Sequence, residues 1–297
     1  MSLKHIKRRD FAGRRAVVTL MLLSCLTLFG IISPAMATKP TGDFANFADC
    51  PLSNPLVKQC LFSQVSSGEV KIGSTAVPIK NVITLQGGKY SLEELDHFVG
   101  AADGNTLSKT PQTVPGGLLG IVAPEGWPLF LKIIFNEFIN KGITGVTATT
   151  ELVGSVGLSE SNLLNGVGVA ITLPVRVHLN NTFLGEGCYI GSSSHPITLE
   201  LSTGTTEPPA PNEPISGNTG EIEFKDNFNL LVITGNKLVD NSFSVPTAEG
   251  CGGIFSILVD PAVDLKLGLP SKAGHNTAIL EGKLEKGAAK AVRESEK

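Results

Sequence analysis

The sequence predicts a mainly β protein, an antiparallel β-sandwich with two or three inserted helices. Three observations lead there. Across residues 167–179 every odd position is apolar: Val167, Val169, Ile171, Leu173, Val175, Val177 and Leu179 alternate with Gly168, Ala170, Thr172, Pro174, Arg176 and His178. Period two over that length marks a strand buried on one face. Other short β-like runs recur between Gly, Pro and Asn turn signals, the spacing of a sandwich. Gly, Ser, Thr, Val and Leu are abundant and charged residues make up only 17% of the chain, which suits an exported β protein better than a helical cytosolic one.

The N-terminus carries an export signature. Lys4, Lys7, Arg8, Arg9, Arg14 and Arg15 stand against one acid, Asp10. An uncharged apolar run covers residues 16–32, then Ser33-Pro34 breaks it and Ala35-Met36-Ala37 offers small residues to a peptidase. These parts make residues 1–37 a secretory signal peptide, with cleavage expected after Ala37. An uncleaved anchor is the competing reading, because the run sits at the short limit for a membrane span. Arg8-Arg9 opens a twin-arginine route, but the Ser or Thr that usually precedes the pair is missing, so the Sec route is favoured.

Cleavage would leave 260 of the 297 residues. Lys and Arg would fall from 24 to 18 and Asp and Glu from 27 to 26, a mature net charge of −8. Such a chain has no electrostatic footprint for nucleic acid. After residue 37 no apolar stretch is long enough for a transmembrane helix. Cys25 leaves with the signal, and Cys50, Cys60, Cys188 and Cys251 remain. An even count in an exported chain reads as two disulfides with three possible pairings. Proximity favours Cys50–Cys60, which leaves Cys188–Cys251. In the loop-entropy model these stabilise by roughly 3 and 4 kcal/mol. No C-x-x-C occurs and no His lies near a Cys, so no metal site and no cofactor are expected.

The elements follow in order. Residues 38–67 read as an irregular, disulfide-bearing segment, and residues 68–284 as the β-rich domain. Val70 and Ile72 alternate with polar neighbours, and a second strand covers residues 76–85. Ser91-Leu92-Glu93-Glu94 has the form of a capping box, which predicts a short helix near 91–99 closed by Gly100. A second helix, near 128–141, is apolar over most of its circumference, and so broad a face calls for burial against the β domain. Strands are expected over residues 146–153 and 197–201. Residues 207–214 form a polyproline-like crossover. Gly235-Asn236 reads as the two-residue turn of a hairpin. A third helix is expected near 254–267, a last strand over 277–284, and a charged flexible tail over 285–297.

Two stretches carry a resemblance. One contains Cys188-Tyr189-Ile190-Gly191-Ser192, Pro196-Ile197-Thr198-Leu199 and Pro208-Pro209-Ala210-Pro211-Asn212. The other contains Cys251-Gly252, Leu267-Gly268-Leu269-Pro270-Ser271 and Asn276-Thr277-Ala278-Ile279-Leu280-Glu281-Gly282. Together they resemble a family of uncharacterised exported proteins of actinobacteria, over roughly the C-terminal 110 residues. The resemblance implies export and weight on Cys188 and Cys251. It implies no activity or ligand.

Catalytic motifs are missing. There is no G-x-S-x-G, and Gly191-Ser192-Ser193-Ser194-His195 lacks the second Gly of a nucleophile elbow. His97, His178, His195 and His275 stand in no motif. Arg176 and His178 share a strand face that Glu200 on a neighbouring strand would complete, either as an anion or sugar site or as the ordinary solvated face of a sheet. Trp127, Phe130, Phe135 and Phe138 mark the second helix as the contact for an apolar ligand or a membrane surface. The expectation is a secreted or envelope-associated, non-catalytic structural or binding protein whose partner is an envelope lipid or cell-surface component. The alternatives are a carrier of lipid or another apolar envelope molecule, and a secreted hydrolase with an unrecognised site.

Overall fold

The computed structural model describes residues 39–93, 95–120, 123–140 and 142–297; the expected signal peptide, residues 1–37, lies outside the described residues. Two sheets are formed, and every pairing in them is antiparallel. With strands numbered along the chain, the first sheet runs β11 (Glu221–Lys225), β12 (Leu230–Asp240), β14 (Thr277–Ala288), β1 (Gln59–Ile72), β3 (Ile83–Leu92) and β4 (Leu95–Gly100). β2 (Thr75–Pro78) folds back on the last turn-proximal residues of β1. The second sheet runs β13 (Ala248–Glu249), β9 (Tyr189–Ile190), β8 (Ile171–Asn180), β6 (Thr147–Leu152) and β5 (Gln112–Thr113), with β10 (Ile197–Leu201) and β7 (Gly157–Leu158) also on β8. Among the described residues four α-helices accompany them: α1 (Leu129–Asn140), α2 (Glu160–Asn165), α3 (Ser256–Leu267) and α4 (Ala289–Glu294).

The sheets face each other as a β-sandwich. Leu231, Ile233, Leu238 and Leu284 of the first pack in one core with Leu173, Val175, Val177, Ile190 and Leu201 of the second. β8 behaves as its alternation requires: Ile171, Leu173, Val175, Val177 and Leu179 are buried, and the residues between them are half-buried. The strand begins only at Ile171. Val167 and Val169 are exposed in a turn where Gly166 and Gly168 take positive φ. Pro174 lies in the centre of the sheet, where the ladder passes from β6 to β7. Its missing N–H falls in that gap, and its carbonyl accepts from Val153 N–H at 3.0 Å. β1 and β14 approach so closely that a side chain at Gly282 would collide with the Gln64 carbonyl.

Several expectations are corrected. No helix forms near 91–99. β3 and β4 pair there as a hairpin, Glu93 turns at φ 51°, and Ser91 Oγ bonds Asp96 Oδ1 at 2.9 Å instead of capping a helix. Residues 38–67 are not irregular throughout, since β1 starts at Gln59 and pairs with both β14 and β3. Residues 285–297 are not a flexible tail. Leu284 to Ala288 complete β14, and α4 follows with Val292 fully buried. Gly235-Asn236 is a bulge within β12 rather than a turn, because β14 pairs on both sides of it. The hairpin turn lies earlier, at Asp226, Asn227 and Phe228, all at positive φ.

Candidate functional site

The candidate site is built from α3 upward. Cys251 is bridged to Cys188, and the sequence-favoured Cys50–Cys60 bridge is also present. Two disulfides fit an oxidising extracellular environment. Beside the Cys188–Cys251 bridge, Asp260 accepts the Cys251 N–H at 2.7 Å and the Gly250 N–H at 3.2 Å. One turn on, Asp264 accepts the Ala248 N–H at 2.7 Å. Val259, Val263 and Leu267 pack against the core on the same side. At the far end Gly268, at φ 73°, closes the helix, and Ser74 of the β1–β2 turn bonds the Leu267 and Lys266 carbonyls at 2.9 and 3.0 Å.

This arrangement turns the usual amphipathic order around. Both carboxylates face the protein, where backbone N–H groups use them. The outward face carries Ile257 and Leu265, each 86% exposed, with Leu258, Pro261 and Ala262 between them, and Ile254 and Phe255 just before the helix. A surface helix ordinarily shows water its polar side. On the outward face of α3 the charged residue is Lys266, in the last turn, and its Nζ is bonded to the Leu119 carbonyl at 3.2 Å.

α1 adds to the same end of the sandwich. Leu129, 74% exposed, is followed by exposed Phe130, Ile133 and Ile134. Trp127 and Phe135 meet as a T-shaped pair, their ring centroids 5.5 Å apart. Phe135 is half-buried, and the Phe138 side chain lies outside the described residues. The expected burial of this face against the β domain is corrected. α1 neighbours the short turns 117–119 and 142–144, and none of its described side chains lies in either buried core. Hydrogen bonds link the segments that flank α1 to α3 and to the turn before it. Lys266 reaches the segment before α1, and Asn181 Nδ2 holds the Ile143 and Gly145 carbonyls behind it at 2.8 and 2.7 Å. Leu184 O then accepts the Gly252 N–H at 2.6 Å. Exposed Leu119, Ile143 and Phe183 fill in between. Sequence reasoning singled out α1 and missed α3. The signal was present: Ile254, Phe255, Ile257, Leu258, Val259, Val263, Leu265 and Leu267 surround that helix, and helices apolar on every side are either buried or face an apolar phase.

Elsewhere the predicted constellations resolve into paired groups. Arg176 lies opposite Glu151, which it bonds at 2.9 and 2.7 Å, and its guanidinium covers the Tyr189 ring at 4.0 Å. His178 stacks on the same ring. Glu200 does not join them. It pairs across from Thr172, and its N–H binds Asp240. Burial pushes the Glu151 carboxyl up, but the Arg176 hydrogen bonds and the charges of Lys109, Arg176 and His178 outweigh it and hold it below the usual range. His195 Nδ1 bonds Ser194 Oγ at 3.1 Å in an exposed turn, and among the described residues no carboxylate bonds that ring. His97 stacks on Tyr90.

One partly buried ion cluster joins the sheets where β3, β4 and β14 meet α2. Lys89, whose side chain is 6% exposed, pairs with Asp96 at 2.8 Å and with Glu160, and Glu160 also binds Lys286. Burial pushes Glu160 up, but the bonds and charges of Lys286 and Lys89 together hold it below the usual carboxylate range. Asp96 is lowered in the same way, burial being outweighed by Lys89, the Glu160 N–H and Ser91. Among the described residues no three His, Cys, Asp or Glu side chains gather as metal ligands, and no helix is long and apolar enough to cross a membrane. No family model, no curated protein and no solved structure matches the chain.

Proposed function

We propose that the protein is an exported, non-catalytic binding protein of the cell envelope that seats its α1/α3 end in an apolar lipid phase. The observation that carries this is the inverted α3: Ile257, Leu258, Pro261, Ala262 and Leu265 point outward while Asp260 and Asp264 are spent inside. Lipid rather than protein is favoured by composition. The exposed large apolar residues of α1 and α3 are Ile, Leu and Phe, with Trp127 just before α1. Leu, Phe and Trp on an outward helix face are the side chains an interfacial helix sets into a lipid phase. Export is supported by the signal-like residues 1–37, by the two disulfides and by the resemblance of the C-terminal region to exported actinobacterial proteins. A hydrolase is disfavoured because the Ser194–His195 pair lacks an orienting acid among the described residues.

Trp127 is the sole tryptophan, so it reports contact at this end directly. Residues 38–297, with both disulfides formed, should float with phosphatidylcholine vesicles, and Trp127 emission should shift to the blue. The double substitution Ile257→Asp, Leu258→Asp should reduce vesicle binding at least tenfold and leave the far-ultraviolet dichroism unchanged. Absence of flotation by the wild type, or flotation that survives the double substitution, sinks the proposal.

A further inference from the structure

A second apolar surface lies at the free edge of the first sheet. β11 is the outermost strand there, and among the described residues no strand pairs with its open side. Ile222 stands opposite Ile233, and Phe224 opposite Leu231. Directly opposed residues of antiparallel strands share a face, so Ile222 and Phe224 continue the inner face that Ile233 and Leu231 bury in the core. They are nevertheless 46% and 55% exposed. Phe228, in the turn that follows, leans on Phe224 with ring centroids 5.3 Å apart. The opposite face of β11 carries Glu221, Glu223 and Lys225, with Lys225 Nζ 3.3 Å from Glu223 Oε2.

Hydrogen bonding tells which backbone groups of this strand are free. The Asn229 carbonyl accepts the Ala288 N–H at 2.8 Å, so these two residues form a hydrogen-bonded pair of the β12–β14 ladder. Alternation then turns the backbone groups of Leu231 and Ile233 toward β14, and those of Leu230 and Val232 toward β11. Lys225 and Glu223 therefore bond β12, while Ile222 and Phe224 present their N–H and C=O groups to the open edge.

Charges on an edge strand ordinarily discourage pairing. On β11 they match a second copy of the strand. In a two-fold antiparallel pairing, Ile222 bonds the partner's Phe224 and Phe224 bonds the partner's Ile222, using every free backbone group of those two residues. The same register sets Glu221 opposite the partner's Lys225, and symmetry repeats the contact. Sliding by two residues in either direction carries Phe224 opposite Gly220, or Ile222 opposite Asp226, both outside the strand. Glu223 meets its own copy on the axis, and each of the two carboxylates is held by the Lys225 beside it.

We infer that the protein forms a homodimer through β11, the edge strands of two copies pairing antiparallel about a two-fold axis at Glu223. The docking proposal uses other elements, so the two stand or fall separately.

Residues 38–297, with both disulfides formed and in lipid-free buffer, should sediment as a dimer at about 100 μM, a small interface being a weak one. Glu221→Lys alone and Lys225→Glu alone should each raise the dissociation constant about tenfold or more, because symmetry repeats the like-charge contact. Combined in one chain, the two reversals should bring it back to within about threefold of the wild type. Opposed Cα atoms of a non-hydrogen-bonded pair lie about 4.5 Å apart, within disulfide range, so Glu223→Cys should cross-link two chains under mild oxidation. Glu221→Cys and Lys225→Cys, which face unlike residues of the partner, should not. A monomeric wild type, a dimer indifferent to the single reversals, a double reversal that restores nothing, or equal cross-linking of all three cysteine variants overturns the inference. So does a dimer abolished by Ile257→Asp, Leu258→Asp, which would place the contact on α3. A dimer that survives that double substitution while flotation is lost supports the edge pairing and docking as separate properties.

Discussion

The Gln59 end of the first sheet and the α1/α3 end are both rich in large apolar side chains, but the chain covers the first and leaves the second bare. At the covered end Phe44, Phe47 and Val57 from the N-terminal segment and Ala289, Ala291 and Val292 from α4 pack around the Cys50–Cys60 bridge and Phe62. Polar contacts fasten this cover: Thr41 Oγ1 donates to the Ser295 carbonyl at 2.8 Å, and Arg293 Nη2 donates to the Leu52 carbonyl at 2.7 Å. At the other end equally apolar helices are held from behind, by Asp260, Asp264 and Asn181, and nothing among the described residues lies over them. The difference is instructive because the same sequence solves one problem and leaves the other open. Bare apolar surface of this extent marks an interaction site in a natural protein.

The largest expected effect lies at the covered end. Phe47 is 2% exposed, so Phe47→Ala should cost about 4 kcal/mol, measured as the shift of a urea unfolding midpoint at constant slope. A loss below about 1 kcal/mol would break the contrast, because the cover would then be loose. The ion cluster comes next. Glu160→Gln strips the buried Lys89 of one carboxylate and should cost about 2 kcal/mol at neutral pH. Because the folded carboxyls of Glu160 and Asp96 lie below their ordinary values of 4.5 and 3.8, their contribution is present above those values and is lost as pH falls below them. The gap between wild type and variant should therefore narrow steadily in unfolding curves taken from pH 5 down to pH 3. The smallest effect belongs to the bare end. Leu258→Asp, on an exposed helix face, should change stability by less than about 0.5 kcal/mol while weakening vesicle binding. A large destabilisation there would show that the face is covered after all.

Legibility from sequence followed the range of the interactions involved. β8, α1 and the Cys50–Cys60 bridge could be read because alternation, helical composition and cysteine proximity are visible within the segments themselves, and Cys188–Cys251 followed as the remaining pair. The helix expected near 91–99 failed because Ser91, which opens the apparent capping box, instead meets Asp96 across a hairpin, with Lys89 supplying the third partner. Residues 285–297 looked solvated because their charges are dense. Lys286, however, finds Glu160, and Glu285 finds Asn46, both far away in the chain. The outward face of α3 was hidden for a related reason. Nothing near Asp260 or Asp264 in sequence shows that backbone N–H groups at 248–251 will claim them, and without that knowledge the carboxylates mark the wrong side as wet.

The placement of β14 governs the order of assembly. It is the central strand of its sheet, with β1 and β3 on one side and β11 and β12 on the other, yet it is the last strand to be synthesised. Ser63 and Lys283, which meet across it, are 220 residues apart. Until the final residues are available, two half-sheets face each other with open edges and no seam between them. Closing so long a loop is entropically demanding, and topologies of this kind fold in milliseconds to seconds rather than microseconds. A chain wired in this way cannot close its first sheet before β14 is in place, so its two halves depend on one late seam.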